Sequence, residues 1–173
     1  MASIVKAIKA KDVKWGAVAR EINKGVEQSG EILLKAHEDV TKTWDTAVSF
    51  KLKTTKVRGW PFRPREIVIS VTTGDKRWLW TDKGTKAHII RPKKRGGVLA
   101  FPSSFSPKSK PGSLRARKGS SGGPTVFSRE VRHPGTKPRK FTEQIEKKYG
   151  PKVRQAINLG FERAAQVSGH GAR

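Results

Sequence analysis

No cysteine occurs among the 173 residues, which excludes disulfides and thiolate-held metal sites. Acidic residues are scarce, 14 against 38 Lys and Arg, leaving a net charge of +24. Nowhere do 18 apolar residues run together, so no membrane span and no membrane partner are expected. The first residues, MASIVKAIKAKDV, lack the uninterrupted apolar core of a signal peptide. The four histidines, His37, His88, His133 and His170, share no helical i, i+4 pairing and no Cys/His spacing, so no metal site is expected. No phosphate loop, dinucleotide fingerprint or nucleophile elbow is present. Acidic residues are not gathered where a nuclease would need them around a divalent ion. The expectation is a protein without catalysis and without cofactor.

The cations that are present are unevenly placed. From Lys83 to Lys140 there are 16 basic residues and one acid, Glu130, so this window carries +15 of the total charge. Self-repulsion at such a density destabilises a compact chain, which points to a polyanionic or acidic partner. The residues expected to meet it are Lys93, Lys94 and Arg95 in one turn, and Lys108, Lys110, Arg115, Arg117 and Lys118 in a longer segment. Contacts of this kind give strong, salt-sensitive, sequence-independent attraction to phosphates. They sit on loops, and no helix-turn-helix accompanies them, so reading of a DNA sequence is not indicated.

The length suits one domain, 1–173, of α+β class. Apolar residues at Trp15, Val18, Ile22, Val26, Leu33, Ala36, Val40, Trp44 and Ala47, with Ser29 in the gap, predict a long N-terminal helix over 13–47. Asp12 is its expected N-cap, and Gly25 and Gly30 predict a bend or break. A small antiparallel or mixed sheet is expected from 48–102 and 125–133, with EIVISVTT its clearest strand. RGWPFRPRE, with two prolines, reads as a turn or extended connection. Thr73-Gly74-Asp75-Lys76 reads as a hairpin turn, with RWLWT returning as the partner strand. In such a strand Trp78 and Trp80 are either core residues or a stacking surface for single-stranded bases. The stretch 103–124, SSFSPKSKPGSLRARKGSSGGP, is expected to be a long mobile basic loop, since it has almost nothing to bury. Helices over 142–167, capped by Thr142 and interrupted at Gly150-Pro151, close the chain before a frayed VSGHGAR tail.

Two segments bracket the basic loop, DKGTKAHIIRPKK with a short VLAFP strand and then VRHPGTKPRKF, each with a Gly-Thr-Lys step beside a His and a Pro. Together they resemble the neck, or tail-completion, family of long-tailed double-stranded DNA bacteriophages. The matching positions are Gly84, Thr85, His88, Ile90 and Pro92, then Leu99 and Phe101, then His133, Pro134, Gly135, Thr136, Pro138 and Phe141. The likeness spans Trp78 to Phe141. Two features depart from the family pattern: the loop is longer and more basic, and the aromatic lead-in is only WLWTDKGT. The resemblance implies an α+β structural protein of the virion, made in the bacterial host cytoplasm and placed at the head–tail junction. It implies a homo-oligomeric ring, a hexamer if it follows tail symmetry. Neighbours would be head-closure or connector, tail-terminator and tail-tube proteins, with packaged double-stranded DNA in the channel. The HPGTKP turn would fix the backbone path and Phe141 the angle of the last helix. The alternative is a non-specific nucleic-acid-binding protein acting outside a virion.

Overall fold

A computed structural model describes residues 13–57 and 66–169. The order of elements is α1 (Trp15–Thr41), β1 (Lys51–Thr54), β2 (Ile69–Thr72), α2 (Lys76–Lys83), β3 (His88–Ile90), β4 (Leu99–Ser106), β5 (Ser120–Ser128), β6 (Val131–His133) and α3 (Phe141–Val167). The fold is α+β, with a long helix towards each end and short antiparallel strands between them. Strands pair only two by two among the described residues, β1 with β2, β3 with β6 and β4 with β5, where one small sheet is expected. The chain divides into two compact units. One comprises Met1–Leu34, Lys51–Thr72 and Tyr149–Arg173, and the other Lys35–Phe50 and Thr73–Lys148. Each long helix therefore contributes residues to both units.

In the first unit α1 crosses the second half of α3 at very short range. A Cβ on Gly25 would lie 2.8 Å from the Ala156 carbonyl oxygen and 3.0 Å from Gly160 Cα. Ser29, fully buried, places its hydroxyl 2.7 Å from Gly25 O and 3.1 Å from Val153 O. Gly25 therefore marks a close backbone approach; it does not break α1, which is continuous from Trp15 to Thr41. Gly30 instead leaves room for the side chains of Leu52 and Thr54 of β1. Asn23 clamps the chain after β1: its Nδ2 donates to Val57 O at 2.8 Å and its Oδ1 accepts from Val57 N at 2.7 Å. Two such hydrogen bonds contribute about 1 kcal/mol each.

The second unit is built on a ring cluster. Trp78 lies 5.5 Å from His37, 5.1 Å from Phe50 and 5.2 Å from Phe141, centroid to centroid, with Phe141 at 0% exposure and Ile145 beside it in the core. Here the expected strand RWLWT is instead α2. Asp75 caps it, accepting from Arg77 N at 2.8 Å, while Asp75 N donates to the Thr73 hydroxyl at 3.1 Å. Gly-Asp, which suits a hairpin turn, acts as a helix start because the Asp carboxylate satisfies a first-turn amide. The helix sends Trp78 inward and leaves Trp80 53% exposed.

The remaining corrections have similarly local causes. Helix α1 stops at Thr41, so Trp44 and Ala47 lie beyond it although they fit its periodicity. Helix α3 runs unbroken through Gly150-Pro151: Pro151 removes one amide from the ladder, and each half is held by packing in its own unit. Its first turn is capped from outside, with Asp82 accepting from both Thr142 N (3.1 Å) and the Thr142 hydroxyl (2.9 Å). The Asp12 cap, most of RGWPFRPRE and most of the C-terminal tail fall outside the described residues. Among those described, no helix is long and apolar enough to cross a membrane.

Candidate polyanion interface

The two motif segments come together as one ladder. β3 and β6 pair antiparallel, His88 with His133, Ile89 with Arg132 and Ile90 with Val131, and the two imidazoles stand 4.9 Å apart. Beyond them the two Gly-Thr-Lys steps face each other. Thr85 N donates to Thr136 O at 3.0 Å, and Thr136 N donates back to Thr85 O at 3.1 Å. Gly84 (φ +77°) and Gly135 (φ +89°) sit at the crossing, where a Cβ would come within 2.5 Å of Thr136 O or 2.3 Å of Thr85 O. Gly135 N also donates to His133 Nδ1 at 3.0 Å. After Pro134 and Pro138, Arg139 N and Lys140 N donate to Thr81 O and Asp82 O, both at 3.0 Å, so α2 and the start of α3 are stitched to one corner. That corner delivers Phe141 to the core.

The stretch 103–124 is not a loop throughout. Ser103–Ser106 extends β4 and Ser120–Pro124 belongs to β5, with a register shift between Pro102 and Ser104 and the Ser104 hydroxyl donating to Gly122 O at 2.8 Å. Serine and glycine composition hides a strand whose partner is equally poor in apolar residues. The true connection, 107–119, is pinned at its start. Lys108 pairs with Asp45, whose carboxyl it holds below the ordinary value by hydrogen bond and charge. Arg139 Nε donates to the hydroxyl of buried Ser109 at 3.4 Å, and Arg117 N donates to Lys108 O at 3.1 Å.

Between this connection and the corner lies a cavity of about 920 Å³, with Trp44, Phe105, Lys108, Lys118, Lys137 and Arg139 in its wall. Arg77, also in the wall, is neutralised by Asp75. Lys118, Lys137 and Arg139 have no carboxylate within ion-pair distance among the described residues. Partial burial pulls the Arg139 guanidinium below its ordinary value. A partly desolvated guanidinium with only a serine for company gains from an incoming phosphate or carboxylate.

Of the cations singled out in sequence, Lys108 and Lys118 line this cavity, and Lys110, Arg115 and Arg117 lie on the same connection outside its wall. Lys93, Lys94 and Arg95 are exposed on the separate turn between β3 and β4, closed by Gly97 N donating to Lys94 O at 3.1 Å. Lys137 and Arg139 belong to the motif itself and are not distinguished by sequence. The placement of Arg139 depends on a contact thirty residues away that no local pattern announces. Glu130 is spent on Arg91, 2.8 Å away, with Arg132 at 4.0 Å. Compared with known protein families, characterised proteins and solved structures, the chain matches none.

Proposed function

We propose that this chain is a structural virion protein of the phage neck, acting as a homo-oligomeric ring that completes the tail and helps join it to the head. Its cations face packaged DNA or an acidic partner ring. One observation carries the reading. Segments 84–92 and 131–141, each of which resembles part of the neck motif, pair through His88–Ile90 with Val131–His133 and through Thr85 with Thr136, and the second ends in the buried Phe141. The unpaired cations of the cavity and of residues 107–119 supply what a negatively charged neighbour needs, and a ring multiplies them. An amber mutation in the encoding gene tests it. The expected result is filled heads and finished tails that stay unjoined; normal infectious particles without the chain would end the proposal.

The second reading, a nucleic-acid-binding protein acting outside a virion, is favoured by the cavity's three unpaired cations, which serve a single copy as well as a ring. Gel shifts with purified monomer discriminate. Tight, salt-sensitive binding by the monomer supports the second reading, and weak binding without assembly supports the first.

A further inference from the structure

The charged residues stop where the β4–β5 ribbon begins. None of the eight residues of β4 (LAFPSSFS) or the nine of β5 (SSGGPTVFS) is ionisable, in a chain that is 30% charged. The same ribbon carries two of the most exposed aromatics, Phe105 at 77% and Phe127 at 67%, with Val126 also exposed. By strand alternation from the Ala100–Phe127 and Phe101–Val126 pairs, Phe105 and Phe127 fall on opposite faces. The ribbon is two-stranded, and its outer edges have no partner strand among the described residues. A free ribbon of this kind is marginally stable in water, and uncharged edges invite another chain.

We propose that this uncharged ribbon is the surface through which copies of the chain meet. The occupant follows from charge. An acidic partner would gain from the cations of the cavity wall, which Phe105 borders at one end of the ribbon, and has no use for the neutral surface around Val126 and Phe127. A second copy carries +24 as well, and two such chains approach at least cost where neither presents charge. The exposed rings on both faces then become buried, while Lys110, Arg115 and Arg117 on the adjoining connection stay free for an anion. The inference stands on charge and exposure and does not require the neck assignment.

Sedimentation of the full chain tests it through the sign of the salt effect. Going from about 0.1 M to about 1 M salt shortens the screening length from ~10 Å to ~3 Å. Contact through neutral surface between like-charged copies should tighten. Contact of cations with carboxylates or phosphates should weaken. The expected result is self-association that strengthens with salt and falls about tenfold or more with each of Phe105→Lys and Phe127→Lys, the scale expected when a buried aromatic is removed. Far-ultraviolet dichroism should be unchanged, and Phe127→Ser serves if either lysine variant fails to fold. A monomer at every salt concentration, association that weakens with salt, or variants that associate like the parent chain would each overturn it. Failure of self-association leaves the location of the chain in a particle an independent question.

Discussion

Gly135 shows how much one position can hold. Its φ of +89° is a region side chains rarely enter, and a Cβ there would meet Thr85 O at 2.3 Å. Backbone strain alone costs about 1–2 kcal/mol, and the overlap lies on backbone that cannot swing away. Gly135→Ala should therefore destabilise the chain by about 2 kcal/mol or more in denaturant titration, whereas Gly74→Ala, with nothing within 4 Å, should be close to neutral. The His-Pro-Gly-Thr signature is legible in sequence as a fixed turn; that its glycine is required by the other Gly-Thr step, 51 residues earlier, is not. At Asp75 the ion pair with Arg77 lowers the carboxyl pKa, chiefly through the side-chain hydrogen bond. The folded state thus binds its proton less readily than the unfolded chain. The associated stability is fully present above the unfolded value of about 3.9, disappears as pH falls through the lower folded value, and should vanish from the pH profile of Asp75→Asn.

Among the elements, the α1–α3 crossing sets helix propensity against packing. Gly25→Ala gains about 1 kcal/mol of propensity, yet the new methyl would lie 2.8 Å from a carbonyl oxygen across the interface. Overpacking of this kind costs about 1–3 kcal/mol, so the net effect should be destabilising in thermal unfolding. The apolar stripe of α1 is legible from period alone, because a 3.6-residue repeat survives a glycine when small residues are what the crossing needs. Gly150-Pro151, by contrast, reads as an interruption that the unbroken α3 does not have. Short strands are legible where β-branched residues cluster, as at Ile69–Thr72. The ribbon's far half is not, since Ser103–Ser106 and Ser120–Gly123 owe their strand conformation to each other. Helix α2 defeats the periodicity because Trp-Leu-Trp alternates like a strand, and only the Asp75 cap and the ring cluster around Trp78 decide otherwise. The cation-bearing connection gives a prediction on the same scale. Replacing Lys110, Arg115 and Arg117 by alanine should lower the slope of log K against log salt by about one unit for each phosphate left without its cation, measured on duplex DNA. Arg139→Ala should weaken the same binding from the cavity side.

On the scale of the whole molecule, charge and neutrality are segregated. Excess cations gather between Lys83 and Lys140, and within that window they avoid the β4–β5 strands altogether. In the ring proposed above, a chain at +24 needs both zones, one to meet an anion and one to meet itself. The concentration of charge is plain in the sequence. Its division into cavity, connection and neutral ribbon requires the pairing of β4 with β5 and the fold-back of Lys108 and Ser109. The decisive measurement is a cryo-electron microscopy map of the assembled phage particle around the portal and upper tail. A ring of this chain is expected there, with Arg115, Arg117 and Lys118 within reach of DNA phosphates or a neighbour's carboxylates. A map showing those side chains in bulk solvent, or no copy of the chain at the head–tail junction, would contradict the neck proposal.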